Sequence, residues 1–528
     1  MFFSLTKKEI IFLFFSLVIF VSLLIGSILS ESRIFDEGLH VDAGYAFLTQ
    51  QDFAKEPFNP PLARELVAVP SLFNPATLHE PFFFQQRLIV VFVSCLLLLI
   101  MYFFTRKLFG VFAACFAVLL YLFNPEILAH SHYAVTDLIL TLFISLTFFL
   151  FILWKEKFTS QRIIILGMCI GCALSAKVSA IPFLVLAFLF LFLFDLYKRR
   201  NIRSWLSHKK IISAVLLAIS ISLTLWATYF FTFESAFGEK FTPHNPVVKN
   251  IITIPSIRYL LVEPIPLGGY IRTIKQIVIY NYSPKYSKQA FLLGKVYPQG
   301  VWFFYPIAFL IKTPIPLLIL CIFALIYVKK KDHRYFFLPI LAIFLSAMMS
   351  TLNLGVRYIL PIYPLLIVYI SQLAMPSMQF GKKKILLTLL LAWYVAGTLS
   401  VYPHFLSFMN EITGSNTQKY HFLVDSNYDW GQGLVSLRSY QQMHKTTKLQ
   451  LAYFGMVDPH LYGLNYQRIQ DISYGDKTIA QKIQVKKGSV IAISASCYWY
   501  CGYYKEKAFE YRLPDKIIGG SILLFIFK

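Results

Sequence analysis

The sequence predicts a polytopic α-helical membrane protein with about eleven transmembrane helices and a small C-terminal extracytoplasmic α/β domain. Three observations lead there. Of the 528 residues, 57% are hydrophobic and only 14% charged, and Phe alone contributes 52. Soluble domains run at roughly 45–50% and 25%. Uncharged apolar runs recur along the chain, most of them near the ~17–25 residues that cross a bilayer. Beyond Pro403 the pattern changes to short strand-like and helical segments. This composition excludes an intrinsically disordered chain, a coiled coil and a disulfide-rich mini-domain.

The first run, Ile10–Leu29, follows Lys7 and Lys8. It is long for the apolar region of a signal peptide and no A-x-A site follows, so it reads as a retained helix. Leu88–Thr105, Leu108–Pro125, Leu138–Trp154, Val178–Phe194 and Ile211–Phe233 come next, with the shorter Ile163–Ala176 ending at Lys177. Thr313–Val328 is also short, and its helix is expected to extend backwards past Lys312. Tyr335–Val356, Tyr358–Gly381 and Ile385–Tyr402 complete the set.

Charge sets the direction. Arg106 and Lys107, then Lys155, Lys157 and Arg162, then Lys198 to Lys210, then Lys329 to Arg334, then Lys382 to Lys384 fall on alternate connections. The short connections on the other side hold only Lys177 and Arg357. Basic loops face the cytoplasm, which places the N-terminus inside and the C-terminus outside. The net charge of +23 is therefore a matter of topology and does not point to nucleic acid.

Residues 1–402 read as one transmembrane unit with long outer loops at 30–86 and 234–300, rich in Pro and aromatic residues and suited to short interfacial helices. Residues 403–528 read as the α/β domain. In it, His421–Val424, Leu449–Phe454, Ser489–Ala495 and Ser521–Phe527 look like strands and Leu434–His444 like a helix. Cys497 and Cys501 could pair if their compartment is oxidising; the plain alternative is two free thiols.

Ionisable residues at the ends of apolar spans are functional candidates. In Phe35-Asp36-Glu37-Gly38-Leu39-His40, two adjacent carboxylates and a His four residues after Asp36 can share one side of a short helix. The structural reading is that Asp36 caps that helix. Pro57-Phe58-Asn59-Pro60-Pro61-Leu62-Ala63-Arg64 is a rigid entry into a helix near Leu62. Glu126, His130, His132 and Asp137 fill the connection before the fourth span. Asp137 there suits a helix N-terminus, and the two histidines match no known zinc spacing. Gly167 and Gly171 allow close helix packing, whereas Lys177, between two short apolar runs, wants an anion. Arg357 opens the tenth span, where a cation opposes the helix dipole. Its alternatives are snorkelling to the interface and clamping a phosphate.

Taken in order, Asp36-Glu37, Asn59-Pro60-Pro61-Leu62, Asp137 after His130-Ser131-His132, and Gly171-x-Ala173-x-x-x-Lys177 resemble the GT-C class of polytopic glycosyltransferases. More narrowly, the chain resembles the family 39 protein O-mannosyltransferase and aminoarabinose-transferase-like group. Tyr402-Pro403-His404 through Asn410-Glu411, Asp425 to Gln432, and Tyr453-Phe454-Gly455 with Asp458-Pro459 look like a subgroup signature. The resemblance implies inverting transfer of a sugar from a polyprenyl-phosphate donor on the outer face of a bacterial cytoplasmic membrane. Asp36 would be the general base or position the acceptor, Glu37 would support it, and Asp137 would be the second acidic group. Lys177 and Arg357 would face the lipid phosphate. His40, Arg64, His130 and His132 are further candidate contacts to substrate or metal. Some relatives use a divalent metal cation and others do not, which leaves the cofactor open. Protein, lipid and glycan all remain open as acceptor. A transporter or flippase of lipid-linked sugars is the alternative, though no inverted repeat is visible. An envelope anchor would not need so many spans.

Overall fold

The first apolar run is a helix over Lys7–Ser30 in the computed structural model, which describes residues 5–199, 208–237, 263–283, 288–328, 334–378, 381–446, 449–473, 483–510 and 512–528. A capping box opens it: Thr6 Oγ1 accepts from the Glu9 N–H at 3.3 Å, and the Glu9 carboxylate accepts from the Thr6 N–H at 2.8 Å. Buried Glu9 also reaches Tyr102 Oη at 2.7 Å and Arg106 Nε at 2.6 Å. That contact ties the start of this helix to the end of Phe84–Phe109.

Every predicted run carries helix. Val111–Leu122, Asp137–Glu156, Ser160–Ala176, Ala180–Arg199, His208–Ala227, Arg334–Met348, Ile362–Ser371 and Lys382–Leu399 follow the expected order. The number of full-length spans is smaller than expected. Among the described residues, five helices are long and apolar enough to cross a membrane, and a bent pair makes a sixth. Val111–Leu122, Ser160–Ala176, Arg334–Met348 and Ile362–Ala374 are shorter. Non-helical backbone between such pieces is tolerated at apolar depth where protein buries it. The basic residues Arg200, Arg203 and Lys329 to Lys331, and the middle of the 234–300 loop, lie outside the described residues.

The bent pair corrects the expectation of one helix running back past Lys312. Phe304–Lys312 and Ile315–Tyr327 meet at 108°. Pro314 supplies no N–H and forces Thr313 out of the helical region (φ −90°, ψ 128°). The break lets the fully buried Lys312 ammonium bond the Leu406 and Asn427 carbonyls, each at 2.8 Å, and Glu126 at 2.9 Å.

Small residues set one of the close helix contacts. A Cβ at Gly171 would lie 2.8 Å from Thr224 Cβ, and one at Gly167 would lie 2.7 Å from Ser220 Cβ. So Ser160–Ala176 packs its glycine face directly on His208–Ala227, as the spacing predicts. The loops that follow the first and seventh spans hold the expected short helices, Glu37–Gln50, Leu62–Phe73 and Gly268–Tyr282.

The tail builds a mixed five-stranded sheet in the order Lys516–Ile518, Ile522–Ile526, Val490–Ser494, Leu449–Ala452, Gln467–Arg468. The first two pairings are antiparallel and the last two parallel. Alternation splits its faces. Leu449, Leu451, Ala492, Ile522 and Leu524 pack under helix Leu434–Met443. Ile491, Ile493, Leu523 and Phe525 join the core that continues into the spans. His421–Val424 is not a strand: a 3₁₀ turn occupies Asn416–His421. Its apolar residues Leu423 and Val424 are buried in that shared core. Cys497 and Cys501 are free thiols, and Cys497 Sγ donates to the Tyr453 carbonyl at 3.3 Å.

Candidate active site

The adjacent carboxylates Asp36 and Glu37 have opposite surroundings. Glu37 is fully buried and forms a two-pronged pair with Arg87, Nε at 2.8 Å and Nη2 at 2.7 Å. Its oxygens also accept the N–H of Ile34 at 2.9 Å and of Ala134 at 2.8 Å. Two further Arg87 donors go to the Glu31 and Ser32 carbonyls. Glu37 thus locks the segment after the first helix to the connection at 130–136. It has no lone pair directed at open space, which sets it apart from the supporting role expected beside Asp36.

Asp36 stands at the N-cap position of Glu37–Gln50 but its side chain makes no capping bond. Instead it accepts from Arg357 Nη1 at 2.9 Å and stays 23% exposed. The tail orients it: the Phe35 N–H donates to the Trp430 carbonyl at 2.9 Å, and the Phe35 ring stacks on Phe454 at 5.1 Å.

Asp137, the first residue of Asp137–Glu156, is also turned away from its helix terminus. Its Oδ1 meets Lys177 Nζ at 2.5 Å and its Oδ2 lies 3.4 Å from Arg357 Nη1. Lys177 closes the turn after Ser160–Ala176, where its backbone leaves the helix. Arg357 sits in the 3₁₀ turn Val356–Ile359 that precedes Ile362–Ser371, one step before the expected helix start. Its Nε donates to the Leu354 carbonyl at 3.0 Å and its guanidinium lies 4.2 Å from the Trp430 ring centre. Four residues far apart in sequence, Asp36, Asp137, Lys177 and Arg357, therefore form one chain of charge.

His40 faces the same region. Its Nδ1 accepts from Arg64 Nε at 3.2 Å, so the neutral ring carries its proton on Nε2. Burial, with Arg64 and Arg357 nearby, holds its pKa well below the ordinary value. Arg64 is buried, paired with Glu56, and donates to the Glu56 carbonyl at 2.8 Å. It orients His40 and does not open onto the site.

His130 and His132 diverge. His130 is fully buried, 3.8 Å from Glu126, with its ring centre 6.1 Å from that of Trp430. Burial takes its pKa down to about 3. His132 bonds Glu31 at 2.9 Å and the Leu128 carbonyl at 2.8 Å. Glu31 also takes Tyr133 Oη at 2.5 Å and His404 at 3.0 Å. Burial alone would raise its pKa, but the hydrogen bonds of His132 and His404 bring it down to about 2. This cluster staples the first helix to the tail. Among the described residues no three His, Cys, Asp or Glu side chains are grouped to hold a metal ion. Asp36 and Asp137 each face a cationic side chain.

Sequence reasoning passes over Glu31 and Lys312, the partner of Glu126, and does not single out Asp425 or Trp430. Glu31 met the criterion used for Asp36, a carboxylate at a span end. The signal for Lys312 is that it is a charge interrupting an apolar run. Asp425 and Trp430 were visible only as part of a motif.

Beside the site, a cavity of about 750 Å³ runs between Asp137–Glu156, Ser160–Ala176, Ala180–Arg199 and His208–Ala227. Leu174, Ile181 and Tyr270 line the end near Lys177, and Lys155 and Asp195 line the other. Asp195 pairs there with Lys155 at 2.7 Å and Arg334 at 3.3 Å. Lys210 and Ser213 also line it, and the rest of the wall is almost wholly apolar.

Residues 72–240 match the dolichyl-phosphate-mannose-protein mannosyltransferase family. That stretch contains Asp137 and Lys177 but neither Asp36 nor Arg357. No curated protein matches the chain. Among solved structures, apo ArnT from Cupriavidus metallidurans superposes with a TM-score of 0.53 at 12% identity, over 98% of this chain and 97% of that one. ArnT from the same organism bound to undecaprenyl phosphate gives 0.52 at 13% identity, over 99% and 98%. The Archaeoglobus fulgidus oligosaccharyltransferase in its apo form gives 0.43 at 14% identity, over 75% and 55%. The helical, multi-pass architecture is that of an integral membrane protein. The chain thus matches that mannosyltransferase family over residues 72–240 and shares its fold with ArnT along nearly its full length.

Proposed function

We propose that the protein transfers a sugar from a polyprenyl-phosphate-linked donor to a protein, lipid or glycan acceptor on the outer face of the membrane, with inversion at the anomeric carbon. The observation that carries this reading is the convergence of Lys177 and Arg357 on Asp137, with Asp36 on the same guanidinium. Two cations suit a phosphate, Arg above all. Asp137 holds them in place before the donor arrives. The apolar cavity that starts near Lys177 suits the polyprenyl chain. ArnT with undecaprenyl phosphate is a precedent for such a lipid on this fold.

The chemistry needs little more. Asp36 takes the proton from the acceptor hydroxyl as its oxygen attacks the anomeric carbon. The bond from that carbon to the phosphate oxygen breaks, and the polyprenyl phosphate leaves with the electron pair. Lys177 and Arg357 stabilise the charge that develops on it, so no strong general acid is required. The sugar passes through an oxocarbenium-like transition state, as in other glycosyl transfers. A single displacement inverts the centre.

The test is transfer by purified protein in detergent from a radiolabelled polyprenyl-phosphate sugar. Label reaching an acceptor supports the enzyme. No transfer with any donor would favour the transporter, which needs two compartments. Arg357→Ala is expected to raise the donor KM roughly tenfold or more, the loss of a charged hydrogen bond, with little change in acceptor KM. Unchanged donor kinetics would remove the phosphate clamp.

In this reading residues 1–402 are the catalytic unit and 403–528 an extracytoplasmic α/β unit. A reporter fused after Lys528 should therefore read as extracytoplasmic in cells. A cytoplasmic signal would overturn the orientation.

A further inference from the structure

The tail segment Asp425–Trp430 wraps the turn that carries Arg357. Ser426 Oγ donates to the Leu354 carbonyl at 2.9 Å, and the Val356 N–H donates to Asn427 Oδ1 at 2.9 Å. Gly355, at φ +80°, lets this happen: a Cβ there would fall 2.6 Å from Ser426 Oγ. Trp430 lies over the guanidinium itself. Asp425 begins the wrap in the left-handed region, φ +56°, an uncommon place for a non-glycine residue. Its own N–H donates to Ser496 Oγ at 2.9 Å, and its Oδ1 accepts from the Ser426 N–H at 2.6 Å. The carboxylate is half-buried, beside the turn that carries Arg357, and within electrostatic reach of Arg357 and Asp36.

We infer that Asp425, supplied by the tail, is a further residue of the donor-phosphate site: a positioning residue that acts on the donor through Arg357. This rests on the donor reading above. The charges explain what it does. Lys177 and Arg357 already face Asp36 and Asp137, and Asp425 adds a third carboxylate. An incoming phosphate adds one more negative charge next to Arg357, so the complex favours the neutral form of whichever carboxyl gives up its charge most readily. Asp36 and Asp137 contact cations directly. Among the described residues Asp425 touches no cation: burial, with Asp36 nearby, outweighs the pull of Arg357 and the Ser426 N–H, and its pKa stands at about 6. The other groups that face it are Asp429, itself pushed up to about 7 by burial, and Tyr500.

The sign follows. Below about pH 6 Asp425 is protonated before the donor binds and costs nothing. Above it, the phosphate must bind either beside a carboxylate or with uptake of a proton, and affinity falls as pH rises. Asp425→Asn keeps the shape, tolerates the left-handed backbone and removes the charge. The experiment is binding of undecaprenyl phosphate in detergent micelles to the full-length wild-type, Asp425→Asn and Asp429→Asn proteins from pH 5.5 to 8.5. The lipid's own ionisation is common to all three and cancels in their ratios. Expected is an Asp425→Asn Kd equal to wild type at pH 5.5 and roughly three- to tenfold tighter at pH 8, with Asp429→Asn following wild type. Parallel profiles for wild type and Asp425→Asn, a loss that is uniform across pH, or a shift that follows Asp429 alone would overturn the inference. No binding by wild type at any pH would overturn the donor reading and the inference with it.

Discussion

Asp36→Asn is expected to lower kcat for glycosyl transfer by roughly 10²–10⁴-fold, the contribution of a general base, while the protein is made, extracted and folded as wild type. The amide retains an oxygen for Arg357, whose bond to Asp36 is 2.9 Å. It loses the ability to take the acceptor's proton. The side chain is 23% exposed and makes no capping bond, so little of the fold depends on it. The check is donor turnover in detergent together with size-exclusion profile and thermal midpoint. Retained activity in purified Asp36→Asn would falsify the base assignment. A fall in thermal midpoint alongside the loss of rate would show that the residue is structural.

One residue later the expected effect is of the other kind. Arg87→Met should destabilise the protein by about 3–5 kcal/mol, because removing one partner of a buried pair strands the other charge. Both side chains are fully buried, and Glu37 would keep only the N–H groups of Ile34 and Ala134. Glu37→Gln alone should also be costly. The double variant Glu37→Gln, Arg87→Met should recover part of the loss, since no unpaired charge remains, and the coupling between the two can be read from the four thermal midpoints. Additive losses would mean that the pair contributes no specific interaction. The neighbours Asp36 and Glu37 are thus separable: one variant should give folded, inactive protein, the other poorly folded protein whose surviving fraction still transfers sugar.

That contrast marks how far the sequence could be read. Asp36, Asp137, Lys177 and Arg357 stood out because charge is scarce at the ends of apolar spans and expensive there. The structure brings these four together. The same reasoning could not separate Asp36 from Glu37. Both are carboxylates at one span end, and only the position of Arg87, fifty residues away, consumes one of them. Nor could it follow the histidines. His130 and His132 are two residues apart, yet one turns to Glu126 and the other to Glu31. The wrap of Arg357 by Asp425–Trp430 joins residues whose only link in the sequence is a motif of unstated purpose.

What the sequence by itself determined was the class of molecule, the order of its helices, the glycine face of Ser160–Ala176 and the three central strands of the tail's sheet. Those follow from local quantities: run length, periodicity and the cost of charge in hydrocarbon. Tertiary structure alone decided which helices are long enough to cross and where Pro314 breaks one so that Lys312 can be buried with Glu126. It also decided which carboxylates are consumed by the fold and which are left facing cations at the site. The reason is that an ion pair's worth depends on who else lies within a few ångströms in a dry interior, and that is a property of packing rather than of any one segment.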